Sequence, residues 1–303
     1  MKIVAIETIV VNIPMKIKGL VPLLADLQRN LHGVGRNGPA VYALSAIDIA
    51  LWDLAGQRAG LPLYALLGET TRQDLPAYAS LLRYGDPVAV ARQSTEACSR
   101  GYRHIKVHEI EEAQIKAARD AVGEGISLMV DCNCPWYVEQ AVDMARRLER
   151  YNLFWLEEPV WPPENHVGLA EVRKRGGIPT AAGENAMRSD FRQMFSLSSV
   201  TYAQPSVTKV GGISEMCKII ALAESFGIEV VPHSAYFGPG LLASIHLVAA
   251  MNREIPVERF YCDFEVNPYH DAINPKNGRI AIPKGPGLGV EIDPTVIEML
   301  RIQ

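Results

Sequence analysis

The 303-residue sequence predicts a (β/α)8 barrel with a small, shortened α+β cap at its N-terminus. From about residue 75, eight short apolar runs (75–80, 103–108, 126–131, 153–158, 178–183, 200–205, 228–232 and 257–262) alternate with helix-like stretches or loops. Eight such units close a barrel, whereas an open doubly wound sheet has fewer strands and a Gly-rich phosphate turn, of which the sequence shows no sign. Six polar residues, Lys106, Asp131, Glu157, Glu184, His233 and Glu258, each end an apolar run. They recur every 25 to 27 residues, except for one gap of 49 that holds the further run YAQPSVTK. In a parallel barrel all strand ends open on one face, so these six residues are expected to converge on one site.

Along the chain, residues 2–12 read as a strand closed by Pro14, and 21–34 and 39–60 read as helices. Leu44, Ile47, Leu51 and Leu54 fall on one face of the second helix, with Gly56 and Gly60 as end signals. The cap spans 1–72 and the barrel 73–264. The Pro- and Gly-rich tail from 265 to 303 reads as mostly loop returning to the cap.

Composition narrows the function. Hydrophobic content of 48% with 21% charged residues describes a globular protein with ample core, and a net charge of −4 gives no basic surface for nucleic acid. A small-molecule ligand is therefore expected. The N-terminus alternates and contains Glu7, unlike a secretory signal, and no run is expected to approach the length of a membrane span. Five scattered cysteines make no disulfide framework, so a cytoplasmic location is expected, and Cys132 and Cys134 read as structural.

Asp131 in SLMVDCN, Glu157 in FWLEEP and Glu184 in TAAGEN stand at three consecutive strand ends. Three anionic oxygen ligands without a cysteine or histidine set suit a hard divalent cation: Mg²⁺ first, with Mn²⁺ as a possible substitute. Glu158 should face away from such a cation, because neighbours on a strand point to opposite sides. By the same alternation Lys106 and His108 share one side, facing the barrel mouth.

The ordered runs GYRHIKVHE, MVDCN, WLEEPV, AAGEN, QPSVTKVGGISE, VVPHS and VER, with ALSAIDIALWDLAG and GLPLYALLG before them, resemble the mandelate racemase and muconate lactonizing branch of the enolase superfamily. The resemblance covers nearly the whole chain. It implies a Mg²⁺ held by Asp131, Glu157 and Glu184, and abstraction of a proton α to a substrate carboxylate. It also implies that Lys106 contacts that carboxylate and that His108 occupies the position of the base, with Lys106 as the alternative base.

His233 matches a histidine that in the family works with an aspartate, and here that position is Ser206. A serine is expected to orient the ring without supplying charge, leaving His233 better suited to donate a proton than to abstract one. The resemblance gives Asn133 a contact with substrate oxygen or the metal shell. It gives Lys209 electrostatic compensation near Ser206, and Glu258 a hydrogen bond to a substrate carboxylate if a proton is shared.

The function expected is dehydration of a sugar acid by a Mg²⁺-dependent lyase. The alternatives are a racemase, epimerase or cycloisomerase sharing the same enediolate, or a non-catalytic ligand-binding relative. The resemblance also implies a homo-oligomer. The cap runs from its first strand straight into helices, as if two strands and a lid segment were missing.

Overall fold

The computed structural model describes residues 20–251 and 253–301; the strand expected at 2–12 lies outside them. The described part of the cap is helical: α1 (Leu20–Asn30), α2 (Pro39–Ala59) and α3 (Leu63–Leu67). Eight parallel strands follow: β1 (Asp74–Ser80), β2 (His104–Val107), β3 (Ser127–Asp131), β4 (Trp155–Glu157), β5 (Thr180–Ala182), β6 (Tyr202–Ala203), β7 (Glu229–Val230) and β8 (Val257–Phe260). The helices between them are α4 (Pro87–Ser99), α5 (Glu112–Val122), α6 (Val138–Leu148), α7 (His166–Arg175), α8 (Arg188–Ser196), α9 (Ile213–Phe226) and α10 (Pro239–Ala250). The strands are nearly all buried, as parallel strands flanked by helices must be. Local signals set the helix starts: Asp86 accepts from the Ala89 N–H at 2.8 Å ahead of Pro87, and Asn165 accepts from Gly168 at 2.9 Å.

The strand order is β7-β6-β5-β4-β3-β2-β1-β8. β7 and β8 are thus the two ends of the ladder, and side chains close the seam between them. The Ser234 N–H donates to Glu258 Oε2 and the Ser234 hydroxyl to the Glu258 carbonyl, both at 2.9 Å. Register places Ser80 beside Lys106 and Asp131 beside Glu157, so the polar strand ends lie level at the C-terminal rim.

α2 joins the cap to the barrel. Asp48 accepts from the Ser214 N–H at 3.0 Å and the Ser214 hydroxyl at 2.7 Å, and Trp52 Nε1–H donates to that hydroxyl. Burial pushes the Asp48 carboxyl up to about 6 against these bonds. Gly212, at the start of α9, has φ +85°, and a Cβ there would lie 2.2 Å from Asp48 Oδ2, so this close crossing requires glycine. Two expectations for α2 need correction. Leu44 and Leu51 are buried, but Ile47 is 44% and Leu54 51% exposed, because α2 is apolar nearly all round and turns Ser45 and Asp48 into the junction. At 21 residues it is also long and apolar enough to cross a membrane by length and composition, although its packing against α9 is that of a core helix.

The tail does return to the cap, but it carries more structure than a loop. β9 (Arg279–Ala281) pairs antiparallel with the start of β1, and α11 (Pro294–Met299) follows. Gly287 exchanges backbone bonds with Leu61 and Leu63, and the Leu288 N–H donates to Asp53 at 2.7 Å. All five cysteines are free thiols.

His246 of α10 ties this junction together. Its Nδ1 accepts the Tyr64 N–H at 3.3 Å, so Nε2 carries the proton donated to the Leu288 carbonyl at 3.1 Å. Burial pulls the ring down from 6.5 to about 4. Between those values the unfolded chain binds the extra proton, so the stability this ring contributes is complete above about pH 6.5 and is lost as pH falls towards 4. His246→Gln should cost about 1–3 kcal/mol at pH 7.5. In urea titrations the gap between wild type and variant should narrow steadily as pH is lowered to 4; a constant gap contradicts the assignment.

Candidate active site

At the rim, one fully buried ammonium sits among carboxylates from three strands. Lys106 Nζ lies 2.8 Å from Glu258 Oε1, 2.9 Å from Glu157 Oε1 and 3.3 Å from Asp131 Oδ2. Burial opposes its charge, but Glu157 and Glu258 outweigh it and hold the amine protonated well above its usual range. Burial also works against ionising Asp131 and Glu258. Lys106 overcomes it in both, leaving Asp131 below the usual carboxylate range and Glu258 at about 2. Glu157 is the exception. Burial and then Asp131 push it well above the ordinary value, although Trp155 Nε1–H donates to its other oxygen at 2.9 Å.

Two histidines flank this centre. His108 places Nε2 3.2 Å from Asp131 Oδ2, while Nδ1 bonds the Leu81 carbonyl, so both ring nitrogens face oxygen acceptors. His233 places Nε2 3.0 Å from Glu184 Oε2 and Nδ1 3.2 Å from the Tyr236 hydroxyl. Burial opposes ionisation of Glu184, but the bond from His233 holds its carboxyl at about 2. Lys209 lies 3.3 Å from Glu184 and 3.0 Å from Asn185 Oδ1.

Beyond β3 and β4 the backbone turns sharply, with Asn133, Cys134 and Glu158 at φ of 52°, 56° and 44°. Three non-glycine residues in the left-handed region beside the carboxylates mark a locally strained rim. Glu158 turns away from Glu157, as alternation requires, towards the Cys134 thiol at 3.6 Å and the Gly183 N–H at 3.5 Å, and burial lifts it to about 7.

The structure brings the ten expected residues to one rim, with several roles altered. Glu258 is an ionised partner of Lys106, Ser80 and Ser234, not the proton-sharing donor a substrate carboxylate would need. Lys209 neutralises Glu184 rather than the surroundings of Ser206. Ser206 shares a backbone bridge with His233, but its hydroxyl faces Thr208 at 3.4 Å, so it does not orient the ring. Asn133 spends its carbonyl on Arg83 at 3.1 Å.

Three contributors went unread in the sequence. Trp155 was legible in principle, two residues before Glu157 on the same strand side. Arg83, which also bonds the His108 and Cys132 carbonyls, and Tyr236 lie on loops where no period marks them.

Among the described residues no three His, Cys, Asp or Glu side chains already surround one point as metal ligands. The donor set nevertheless fits a dication. Among the described residues Asp131, Glu157, Glu184 and Glu258 face two amines, Lys106 and Lys209, besides the rings of His108 and His233, and burial first and Asp131 next raise Glu157. Asp131, Glu157 and Glu184 are oxygen donors from consecutive strands, as a hard cation requires.

Residues 89–296 match the family model described as enolase C-terminal domain-like, and residues 6–68 match the N-terminal domain of mandelate racemase / muconate lactonizing enzyme. The chain belongs to the mandelate racemase and muconate lactonizing enzyme family of the enolase superfamily. Within that family it is 34% identical to D-galactarolactone cycloisomerase of Agrobacterium fabrum, over 92% of this chain and 79% of that protein. It is 32% identical to arabinonate dehydratase of Saccharolobus solfataricus, over 87% and 73%. Among solved structures, a magnesium complex of a mandelate racemase/muconate lactonizing protein from Paracoccus denitrificans superposes with TM-score 0.87 at 30% identity, over 94% of this chain and 82% of that one. The 3,6-anhydro-D-galactonate cycloisomerase of Zobellia galactanivorans gives 0.84 at 29%, over 95% and 84%.

Lys106→Met removes the ammonium and leaves its carboxylates unpaired. Without divalent cation the variant should lose about 3–5 kcal/mol in denaturant unfolding. Millimolar Mg²⁺ should restore part of that loss, and more of it than the gain Mg²⁺ gives wild type. Equal gains for both proteins contradict a shared electrostatic centre.

Proposed function

We propose that this protein is a Mg²⁺-dependent hydro-lyase of sugar acids, removing the proton α to a carboxylate and expelling the neighbouring hydroxyl as water. The observation that carries this reading is the inequality of the two sides of the site. Both rings turn Nε2 to a carboxylate, Asp131 for His108 and Glu184 for His233, but Nδ1 of His108 faces the Leu81 carbonyl, which can only accept, whereas Nδ1 of His233 faces the Tyr236 hydroxyl, which can donate. An unsymmetrical pair suits abstraction on one side and proton donation on the other better than a two-base racemisation.

An α-proton beside an ionised carboxylate is very weakly acidic, so the negative charge that develops must be stabilised in place. Mg²⁺ would be held by Asp131, Glu157 and Glu184, and when bound it supplies electrostatic stabilisation to the substrate carboxylate. Lys106, which Glu157 and Glu258 favour as an ammonium, adds positive charge at the same end. In this reading His108 is the base and His233 assists the departing oxygen. Arg83 bonds the His108 and Cys132 carbonyls and Asn133 Oδ1, keeping the chain at His108 and just past Asp131 in register. The dehydratase among the relatives supports this assignment. A cycloisomerase reading shares the abstraction and is favoured by the 34% identity to D-galactarolactone cycloisomerase over nearly the whole chain.

Incubation of aldonic and aldaric acids in D₂O with Mg²⁺, followed by NMR, should show α-proton exchange together with loss of water. Exchange without elimination removes the hydro-lyase reading, and no exchange across the set favours a binding protein. Glu184→Gln should abolish turnover, Mn²⁺ should replace Mg²⁺, and turnover persisting in EDTA contradicts the metal.

A further inference from the structure

We propose that Tyr236 is the positioning residue of His233: its hydroxyl donates to Nδ1 and fixes the neutral ring as the Nε2–H tautomer, the task Ser206 leaves undone. The assignment follows from both ends of the ring. Nε2 is 3.0 Å from Glu184 Oε2, and a carboxylate oxygen at that distance pairs with an N–H, so the proton belongs on Nε2. The Nδ1 of a neutral ring then holds a lone pair, and the group that faces it, 3.2 Å away, is the Tyr236 hydroxyl.

Burial pushes that phenol well above its usual range, so it remains a donor. The two rings also meet edge to face, with centroids 5.5 Å apart and planes at 77°. Gly240 makes room for the pair. A Cβ there would lie 2.5 Å from the Thr208 methyl and 3.0 Å from the Tyr236 ring.

A carboxylate at Nδ1 would do the reverse. It accepts only, places the proton on Nδ1, and exposes a basic Nε2 to the site. A phenol donor presents Nε2–H instead, so the β7 side resists acting as a base and is set up to donate a hydrogen bond to a departing oxygen. Only this catalytic consequence rests on the function proposed above; the tautomer does not.

The test is long-range ¹H–¹⁵N NMR of the histidine side chains in the full chain, at a pH where the His233 ring is neutral, with His233→Gln used to assign its signals. Wild type should show protonated Nε2 and unprotonated Nδ1. Tyr236→Phe, which keeps the packing ring, should lower the Nε2–H to Nδ1–H ratio about five-fold, while Ser206→Ala leaves it unchanged. A purely structural role for Tyr236 would lower the melting temperature without moving that ratio. Should the Phe variant not fold, 3-fluorotyrosine at 236, a more acidic donor, must shift the Nδ1 resonance. A wild-type Nδ1–H tautomer, an unmoved ratio or resonance, or an equal effect of Ser206→Ala overturns the proposal. None of these readouts needs a substrate, so failure here is distinct from failure of the hydro-lyase reading.

Discussion

The Lys106 ammonium, buried within 3.3 Å of carboxylates from β3, β4 and β8, is the contact on which the rest of the site depends. Three anions in a desolvated barrel mouth repel one another, and one ammonium cannot neutralise them all. Asp131 and Glu258 are held ionised against burial, whereas burial and then Asp131 raise the proton affinity of Glu157. Carboxylates crowded this closely suit a dication. The same contact bears on the fold. Glu258 is both a partner of Lys106 and the acceptor of the Ser234 bonds across the seam between β7 and β8, so charge balance and barrel closure meet in one side chain.

Most of the architecture was legible because parallel barrels repeat. The spacing of Lys106, Asp131, Glu157, Glu184, His233 and Glu258 gave the strand ends, and the observed pairing of Asp131 with Glu157 is what that spacing requires. Spacing tells which residues reach the rim, but not which partners they choose there. Tyr236 reaches His233 across a turn, and Lys209 prefers Glu184 to the surroundings of Ser206; both depend on side-chain directions that no period encodes. α2 misled for a related reason. A helix that is apolar almost all round has no stripe to read, and its true interface runs through Ser45, Asp48 and the space left by Gly212. The tail hid β9 because three residues between Gly and Pro carry too short a pattern to register.

The exchange of aspartate for Ser206 read in the sequence as a loss of the charge that would make His233 a strong base. In the structure it is a change of partner, from a group that only accepts to a phenol that can donate. A barrel rim tolerates such a change because its two sides are built on separate strands. His108 takes its orientation from Leu81, and His233 from the turn before α10. Each can be retuned without disturbing the carboxylates between them.

The chemistry proposed for this rim requires that Asp131, Glu157 and Glu184 hold one cation. Anomalous diffraction from crystals soaked in Mn²⁺ tests this directly. The expected result is a single peak bonded to one oxygen of each carboxylate at roughly 2.0–2.2 Å, with Lys106 still paired to Glu258. A rim without a peak at saturating Mn²⁺, or a peak coordinated by other side chains, contradicts the account.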